Sequence, residues 1–304
     1  MTKNIYNFMG HRSLAMIVSS VLLIASISSL ASKGLVFGLD FTGGTLIEVG
    51  YEQPVDVLAV RNLLEDNAFS DPVVVHFGAQ TDLLIKLQGE PDSDLGKRVL
   101  DVLQGSGDNV ELRRTEYVGP QIGEELRDQG GLGMLAALAV VMLYVAIRFQ
   151  YKFSLAAVCA LIHDLLITLG FFSVFEVEFD LTVLAAVLAV IGYSLNDTIV
   201  VSDRIRENFR LLRVAEPVDV INESLTQTLG RTIVTSLTTL LVLVALFVFG
   251  GELIHNFSVA LIVGVIIGTY SSIYVAASML LSLKITRENL LPVEKEGADL
   301  NELP

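Results

Sequence analysis

Six runs of mostly apolar residues lie along the chain, and each is long enough to cross a bilayer, which takes about 20 helical residues. The runs cover residues 14–31, 130–147, 153–175, 181–201, 232–250 and 257–283. Polar and apolar residues mix over the long stretch between the first and second runs. The pattern predicts an α-helical membrane protein with six transmembrane helices and one soluble domain inserted after the first span.

The inserted stretch shows strand and helix periodicities in a definite order. Alternating or short apolar runs predict strands at 45–51, 73–77, 83–88 and 109–118. Apolar stripes with helical spacing predict helices at 54–69 and 93–104. We expect Gly78 and Asp82 in the turn between the second and third strands. The order strand, helix, strand, strand, helix, strand is that of the ferredoxin-like α+β motif (βαββαβ), and we expect that fold here.

The distribution of basic residues orients the six spans. Lys and Arg precede the first run and follow the second, fourth and sixth, whereas residues 176–180 and 251–256 contain acids but no Lys or Arg. Because short basic loops stay in the cytoplasm, both termini are predicted inside and the soluble domain outside. The predicted segments are the N-terminus with the first span, the outer domain, the remaining five spans and a C-terminal tail: residues 1–31, 32–129, 130–285 and 286–304.

The first apolar run also has some features of a secretory signal peptide. Ser29-Leu30-Ala31 loosely resembles a cleavage site. However, the run has 18 residues, and the apolar core of a signal peptide usually has about 7–15. We therefore expect this run to remain in the protein as a membrane span.

Composition supports a membrane protein and narrows its chemistry. The chain is 52% hydrophobic and 18% charged, with a mean hydropathy of +0.62, more apolar than soluble domains. The net charge of −14 argues against a nucleic-acid partner. The single cysteine excludes an intramolecular disulfide. Scattered histidines, with no nucleotide-binding loop or nucleophile elbow, predict no metal site, no cofactor and no enzymatic activity.

One acidic residue stands inside an otherwise apolar helix. Asp197 follows the run LTVLAAVLAV, and polar groups surround it in sequence at Ser194, Asn196 and Thr198. An aspartate at the centre of a membrane helix costs about 2.5–3.5 kcal/mol on insertion scales, and such residues commonly mark proton or ion pathways. We therefore expect Asp197 to belong to a polar site, with these three residues supplying hydroxyl and amide groups around it.

The candidate cation for Asp197 is Arg231, at the head of the fifth run. Thr235 follows one helical turn later on the same face. A carboxylate subject to both burial and a nearby cation can take up and release a proton near neutral pH. The alternative is a static ion pair, or an arginine that extends to the cytoplasmic surface.

A second polar pair, His163-Asp164, lies mid-way along the third run. Neither side chain reaches the surface easily from that depth. Two interpretations stay open: the pair is a second station for protons, or it is a buried pair that holds the third and fourth helices together.

Gly264 and Gly268 form a G-x-x-x-G step in the sixth run. Small residues at this spacing let two helices approach closely. We expect plain helix packing at these positions, with a role in a moving seam as the alternative.

Several long motifs resemble those of the SecF family of bacterial protein-export subunits. They are FGLDFTGG (37–44), YVGP (117–120), GYSLNDTIVVSDRIREN (192–208), SLTQTLGRT (224–232), FGG (249–251) and GTYSSIYVA (268–276). The resemblance covers the chain from about residue 5 to 290, and the family is similar in turn to the resistance-nodulation-division transporters. It implies six spans with one outer domain after the first, as the apolar pattern also predicts.

The resemblance also implies a function. Members assist protein translocation across the bacterial inner membrane by using the proton-motive force, so protons rather than a cofactor supply the energy. It implies that Asp197 and Arg231 couple proton movement and that the outer domain is periplasmic. The implied partners are SecD, the SecY–SecE–SecG channel and unfolded exported chains. The basic residues after the fourth run are expected near anionic membrane lipids.

Two other functions remain open on the sequence. A half-transporter of the resistance-nodulation-division type would export small molecules and would need a second half, because this chain has six spans and one outer domain. A structural scaffold would stabilise the export channel without moving protons, and it would keep full function after the substitution Asp197→Asn.

Overall fold

A computed structural model of the protein describes residues 5–89, 92, 94–107, 109–212 and 216–286. The elements, in chain order, are α1 (Arg12–Ser32), β1 (Val36–Phe37), α2 (Leu39–Thr42), β2 (Gly44–Tyr51), α3 (Val57–Asp66), β3 (Val73–Phe77), β4 (Ala79–Leu87), α4 (Leu95–Gly105), β5 (Val110–Val118), α5 (Pro120–Arg148), α6 (Tyr151–Val174), β6 (Glu178–Phe179), α7 (Leu181–Leu211), α8 (Pro217–Phe249) and α9 (Glu252–Ser282).

Six of these helices, α1 and α5 to α9, are long and apolar enough to cross a bilayer, which confirms the predicted number of spans. The second begins ten residues earlier than predicted, because the polar residues 120–129 continue α5 beyond its apolar part. With 31, 33 and 31 residues, α7, α8 and α9 exceed the length that a bilayer requires. Most of the predicted tail, residues 287–304, lies outside the described residues.

Four strands of the inserted segment form an antiparallel sheet in the order β3–β4–β2–β5. Along the chain, α3 follows β2 and α4 follows β4. Alternate residues of the central strands are buried, including Ile47 and Val49 of β2 and Leu83 and Ile85 of β4, and they pack with Leu64 of α3. The sheet and its two helices therefore share a hydrophobic core of their own.

The turn before β4 is shorter than predicted. The strand begins at Ala79, so Gly78, with φ +80°, lies in the turn while Asp82 belongs to the strand. The Asp82 carboxylate pairs with Arg113 of β5 at 2.7 Å. This ion pair accounts for an acidic residue within the strand, where the sequence pattern placed a turn.

The sheet domain is fastened to the membrane helices near the start of α7. Strand β1 pairs in parallel with β6, and the Gly38 amide donates to the Phe179 carbonyl at 2.9 Å. Lys86 of β4 makes an ion pair with Glu178 of β6 at 2.8 Å. The loop between α6 and α7 thus contacts both the end of α1 and the sheet.

The Gly43-Gly44 pair turns the chain from the membrane into β2. Its φ angles are +75° and +149°, which L side chains rarely adopt. A Cβ on Gly43 would lie 2.8 Å from the Pro120 Cα, and one on Gly44 would lie 2.5 Å from the Leu87 carbonyl oxygen. A side chain at either position would clash with the backbone, so both residues must be glycine. The chain enters the domain here, directly beside Pro120, where it leaves the domain.

Helix α9 occupies the centre of the membrane part and packs against α1, α6, α7 and α8. Helices α6 and α7 are buried over more than half of their most apolar stretches, whereas α5 and α8 leave most of theirs exposed. Small and polar side chains are common where α6, α7 and α9 meet, as expected where helices pack closely in a membrane.

Candidate functional site

The carboxylate of Asp164 lies at the centre of a hydrogen-bond network that joins three helices. Its Oδ2 accepts from the Ser194 hydroxyl of α7 at 2.5 Å and from the Ser271 hydroxyl of α9 at 2.6 Å. Its Oδ1 is 2.9 Å from the Nδ1 of His163 on the same helix. The residue is 0% exposed. These short contacts to a carboxylate are the kind that compensates for burial of a charge.

His163 extends the same network to α1. Its Nε2 lies 3.1 Å from the Ser19 hydroxyl, which is 3.0 Å from the Tyr270 hydroxyl of α9. The Tyr270 hydroxyl donates to the Ala15 carbonyl at 2.7 Å, and its ring stacks on the imidazole with centroids 6.2 Å apart. His163 and Asp164 therefore connect α6 with α1, α7 and α9. The interpretation as a buried packing pair predicted only the connection to α7.

Asp197 has a sparser environment. It is 4% exposed, and its Oδ1 accepts from the Thr232 hydroxyl of α8 at 3.3 Å. Its Oδ2 is buried and has no hydrogen-bond partner among the described residues. A buried carboxylate oxygen without a partner is energetically costly, so this side chain is not explained by packing alone.

Arg231 lies one residue before Thr232 but faces outward. Its side chain is exposed, and within the described residues Asp197 receives no hydrogen bond from it. Thr235 is half-buried, and no hydrogen bond joins its side chain to Asp197 in the described part of the chain. The predicted inner face of α8 was thus displaced by one residue: near Arg231 the buried residues are Thr228, Thr232 and Ser236.

The three polar residues that neighbour Asp197 in sequence, Ser194, Asn196 and Thr198, have different surroundings in the structure. Ser194 was expected around Asp197, but its hydroxyl donates to Asp164 of the neighbouring helix α6. Asn196 is exposed on the outside of α7, and Thr198 is buried. Of the three, only the Ser194 side chain makes a hydrogen bond to a predicted site residue, Asp164, within the described residues.

Gly264 and Gly268 both face α7. A Cβ on Gly264 would lie 2.1 Å from the Val190 Cγ2, and one on Gly268 would lie 3.0 Å from the Ser194 Cβ. The backbone of α9 therefore approaches α7 at the level of Ser194, which brings Ser271, one turn further along, within reach of Asp164.

Four residues that bond in the Asp164–His163 network or to Asp197 had not been assigned a role from the sequence: Ser19, Thr232, Tyr270 and Ser271. Ser271 carried a weak signal, since it continues the face of Gly264 and Gly268. Ser19 carried none, because a hydroxyl within an apolar helix usually bonds its own backbone.

Comparison with known proteins assigns the family. A family model described as "Protein export membrane protein SecD/SecF, C-terminal" matches residues 98–286, and one described as "SecD/SecF GG Motif" matches residues 28–55. The protein translocase subunit SecF of Pseudomonas aeruginosa is 55% identical over 94% of this chain and 94% of its own. SecF of Escherichia coli O157:H7 is 44% identical over 98% and 94%, respectively.

Solved structures show the same similarity. The crystal structure of SecDF from Thermus thermophilus, described as a translocon-associated membrane protein, has a TM-score of 0.81 and 39% identity over 93% of this chain. A second SecDF structure, in a super-membrane-facing form, has a TM-score of 0.72 and 38% identity. The chain spans 39% of the length of each SecDF chain. With six membrane-spanning helices and these relatives along nearly its whole length, the chain belongs to the SecF family of protein translocase subunits.

Proposed function

We propose that this chain couples the proton-motive force to protein translocation across the bacterial inner membrane, with Asp197 as the group that binds and releases protons. The observation that carries this proposal is the buried Oδ2 of Asp197, which has no hydrogen-bond partner among the described residues. Inside a membrane helix such a carboxylate is costly, and positions of this kind usually serve ion or proton movement.

Arg231 is the proposed cation of this site. It precedes Thr232, which donates to Asp197, and it lies on the exposed side of α8 together with a row of apolar residues. A second six-helix half packed against this side would bury both the apolar row and the guanidinium. We propose that this half is SecD, because the similar solved structures are SecDF chains in which the present chain matches 39% of the length.

The sheet domain is the proposed contact for exported chains. Its strand and helix order supports a ferredoxin-like fold, and the absence of Lys and Arg from residues 176–180 and 251–256 supports a periplasmic location with both termini in the cytoplasm. Its link to β6, just before α7, would pass a movement of the helix that carries Asp197 to the domain. The proposed sites of action are the SecY–SecE–SecG channel and unfolded exported chains, among membrane lipids.

The proposal is tested with the substitution Asp197→Asn. The chain is reconstituted in vesicles with SecD and the channel, and export is compared with and without an imposed proton gradient. We expect the variant to lose the stimulation by the gradient while retaining export in its absence. The matched control is Asp101→Asn, which changes an exposed aspartate of α4 in the same way. Undiminished stimulation in Asp197→Asn would contradict the proposal and favour a scaffold.

A further inference from the structure

A cavity of about 260 Å³ lies beside His163, between α1, α6 and α9. At about 30 Å³ for each molecule in the liquid, this space is large enough for several waters. Most of its wall is apolar, and the polar side chains that also line it include Ser19, Ser20, Cys159, His163, Tyr270 and Ser278. Asp197 does not line this cavity, and in the described part of the chain none of these six residues is hydrogen-bonded to it, so the cavity is separate from the proposed site.

One side chain of the wall points to water as the occupant. Ser278 is 6% exposed, lines the cavity, and its hydroxyl has no hydrogen-bond partner among the described residues. Buried hydroxyls are satisfied by protein or by ordered water in the great majority of cases. The cavity has room for a water beside this hydroxyl, where a few polar groups interrupt a mostly apolar wall.

The cavity runs from one end of the membrane helices to their middle. Ala15 and Met16 lie in the first turns of α1, and Ser282 is the last residue of α9. His163 is twelve residues into α6, or about 18 Å along the axis. Since α1 starts and α9 ends on the proposed cytoplasmic side, water would reach the imidazole from the cytoplasm.

The hydrogen bonds around His163 allow two arrangements that differ by one proton. The Tyr270 hydroxyl donates to Ala15 in the structure. With that bond in place, the Ser19 hydroxyl donates its hydrogen either to the Tyr270 oxygen or to Nε2 of His163. If Nε2 carries a proton, it donates to Ser19, which donates to Tyr270, and every short contact contains one hydrogen. If Nε2 carries no proton, the Ser19 hydroxyl donates its hydrogen to Nε2. No hydrogen then lies between the Ser19 and Tyr270 oxygens, so that hydrogen bond is lost.

We propose that His163 and Asp164 form a second proton-binding site, separate from Asp197, which exchanges protons with cytoplasmic water through the cavity between α1, α6 and α9. A proton from water binds at Nε2 as the Ser19 hydroxyl rotates to Tyr270, and it returns by the reverse movement. Asp164, held by Ser194 and Ser271, compensates for the charge on the imidazolium.

Three other helices contribute hydrogen-bonding groups to the pair among the described residues. Helix α1 contributes Ser19, α9 contributes Tyr270 and Ser271, and α7 contributes Ser194, all of them contacts already described. The nearest further acid along α7 is Asp197, three residues after Ser194, about 4.5 Å along the helix axis. Binding of a proton at His163 would therefore affect the hydrogen bond from Ser194 to Asp164, and Ser194 lies one turn from Asp197. This link rests on the proposed function of Asp197, whereas the cavity and its proton site do not.

The first test uses Cys159, the single cysteine of the chain, which lines the cavity. A membrane-impermeant cationic methanethiosulfonate is added to inverted or to right-side-out vesicles, and the mixed disulfide is counted by mass spectrometry. The matched control is Ile162→Cys in a Cys159→Ser background. Ile162 lies one turn away on α6 and is exposed away from the cavity. Because thiolates form in contact with water, we expect Cys159 to react at least about tenfold faster than the control, and only from the cytoplasmic side.

A cavity-filling variant and an infrared measurement complete the test. Ser278→Leu should slow the reaction of Cys159 to the rate of the control. Infrared difference spectra between mildly alkaline and mildly acidic buffer should contain imidazole bands that His163→Gln removes and Asp197→Asn keeps. Equal reactivity of Cys159 and the control, labelling from the periplasmic side, or spectra unchanged by His163→Gln would each overturn the proposal. Neither measurement requires export, so failure here is distinguishable from failure of the Asp197 test.

Discussion

The Ser194 hydroxyl donates to the Asp164 Oδ2 at a distance of 2.5 Å. Ser194 lies on α7, one turn before Asp197, yet it binds the carboxylate of α6. Ser271 makes the equivalent bond from α9 at 2.6 Å. Two hydroxyls on different helices therefore hold one buried carboxylate, and α6, α7 and α9 are joined at a single point.

Removing either hydroxyl should destabilise the protein. Ser194→Ala or Ser271→Ala leaves a buried carboxylate with one donor fewer, and we expect a loss of about 1–3 kcal/mol in the free energy of unfolding. Thermal unfolding in detergent measures it. Ser32→Ala is the control, because this exposed hydroxyl bonds only its own helix, and it should change stability by less than about 0.5 kcal/mol. Equal effects of the three substitutions would contradict the role of the carboxylate as a junction.

The close approach of α9 to α7 predicts a size limit at Gly264. Because a Cβ there would lie 2.1 Å from the Val190 Cγ2, Gly264→Ala should cost about 1–3 kcal/mol of stability. Adding Val190→Ala should restore part of the loss. Gly133→Ala on α5, where a Cβ meets no atom within 4 Å, is the matched control and should be neutral or stabilising. The absence of rescue by Val190→Ala would show that the contact does not determine the cost.

The ion pair of Lys86 with Glu178 should hold the sheet domain on the membrane helices. Both side chains are largely covered, at 18% and 24% exposure, so a double-mutant cycle with Lys86→Met and Glu178→Gln should give a coupling energy of about 1 kcal/mol, at the upper end for such pairs. Hydrogen exchange at β1 and β6 should quicken in each single variant. The exposed pair of Arg61 and Glu65 on α3 is the comparison, with an expected coupling of about 0.3–0.5 kcal/mol.

Glu176, in the loop between α6 and α7, should titrate at unusually low pH. The Lys33 ammonium, 2.5 Å away, donates a hydrogen bond and supplies a positive charge, and both hold the pKa of the Glu176 carboxyl below its ordinary value. Because the folded pKa is the lower one, the contribution of this ion pair is present above the unfolded pKa and is lost as pH falls through the folded pKa.

This titration can be followed by the chemical shift of the Glu176 carboxyl carbon. Lys33→Met should return the pKa of Glu176 to the usual range for glutamate. Raising the salt concentration should move it part of the way, since the pair is exposed and screened. A pKa of Glu176 that stays low in Lys33→Met would assign the shift to another group.

The span pattern was predictable because a lipid environment demands long apolar helices, and runs such as 153–175 satisfy that demand without reference to the rest of the chain. The ends of α5 were harder to predict. Residues 120–129 are polar, and nothing in their composition distinguishes a helix that continues outside the bilayer from a separate connecting segment.

The partners of the buried acids were not predictable, because they depend on the rotation of each helix about its axis. A shift of one residue, about 100°, separates Thr232, which donates to Asp197, from the exposed Arg231. Residues Ser19 and Tyr270 lie about 250 positions apart in the chain, and only the packing of α1 on α9 brings their hydroxyls to 3.0 Å.

The turn at Gly43 has a mechanical consequence. Its backbone lies against Pro120, and the next residue, Gly44, pairs with Val118, so the chain enters and leaves the sheet domain through adjacent positions. Both connections to the domain therefore lie side by side, and a force on the domain reaches the membrane helices through the chain at one place. The ion pair of Lys86 with Glu178 lies away from that place, so it bears part of any such force at a second point.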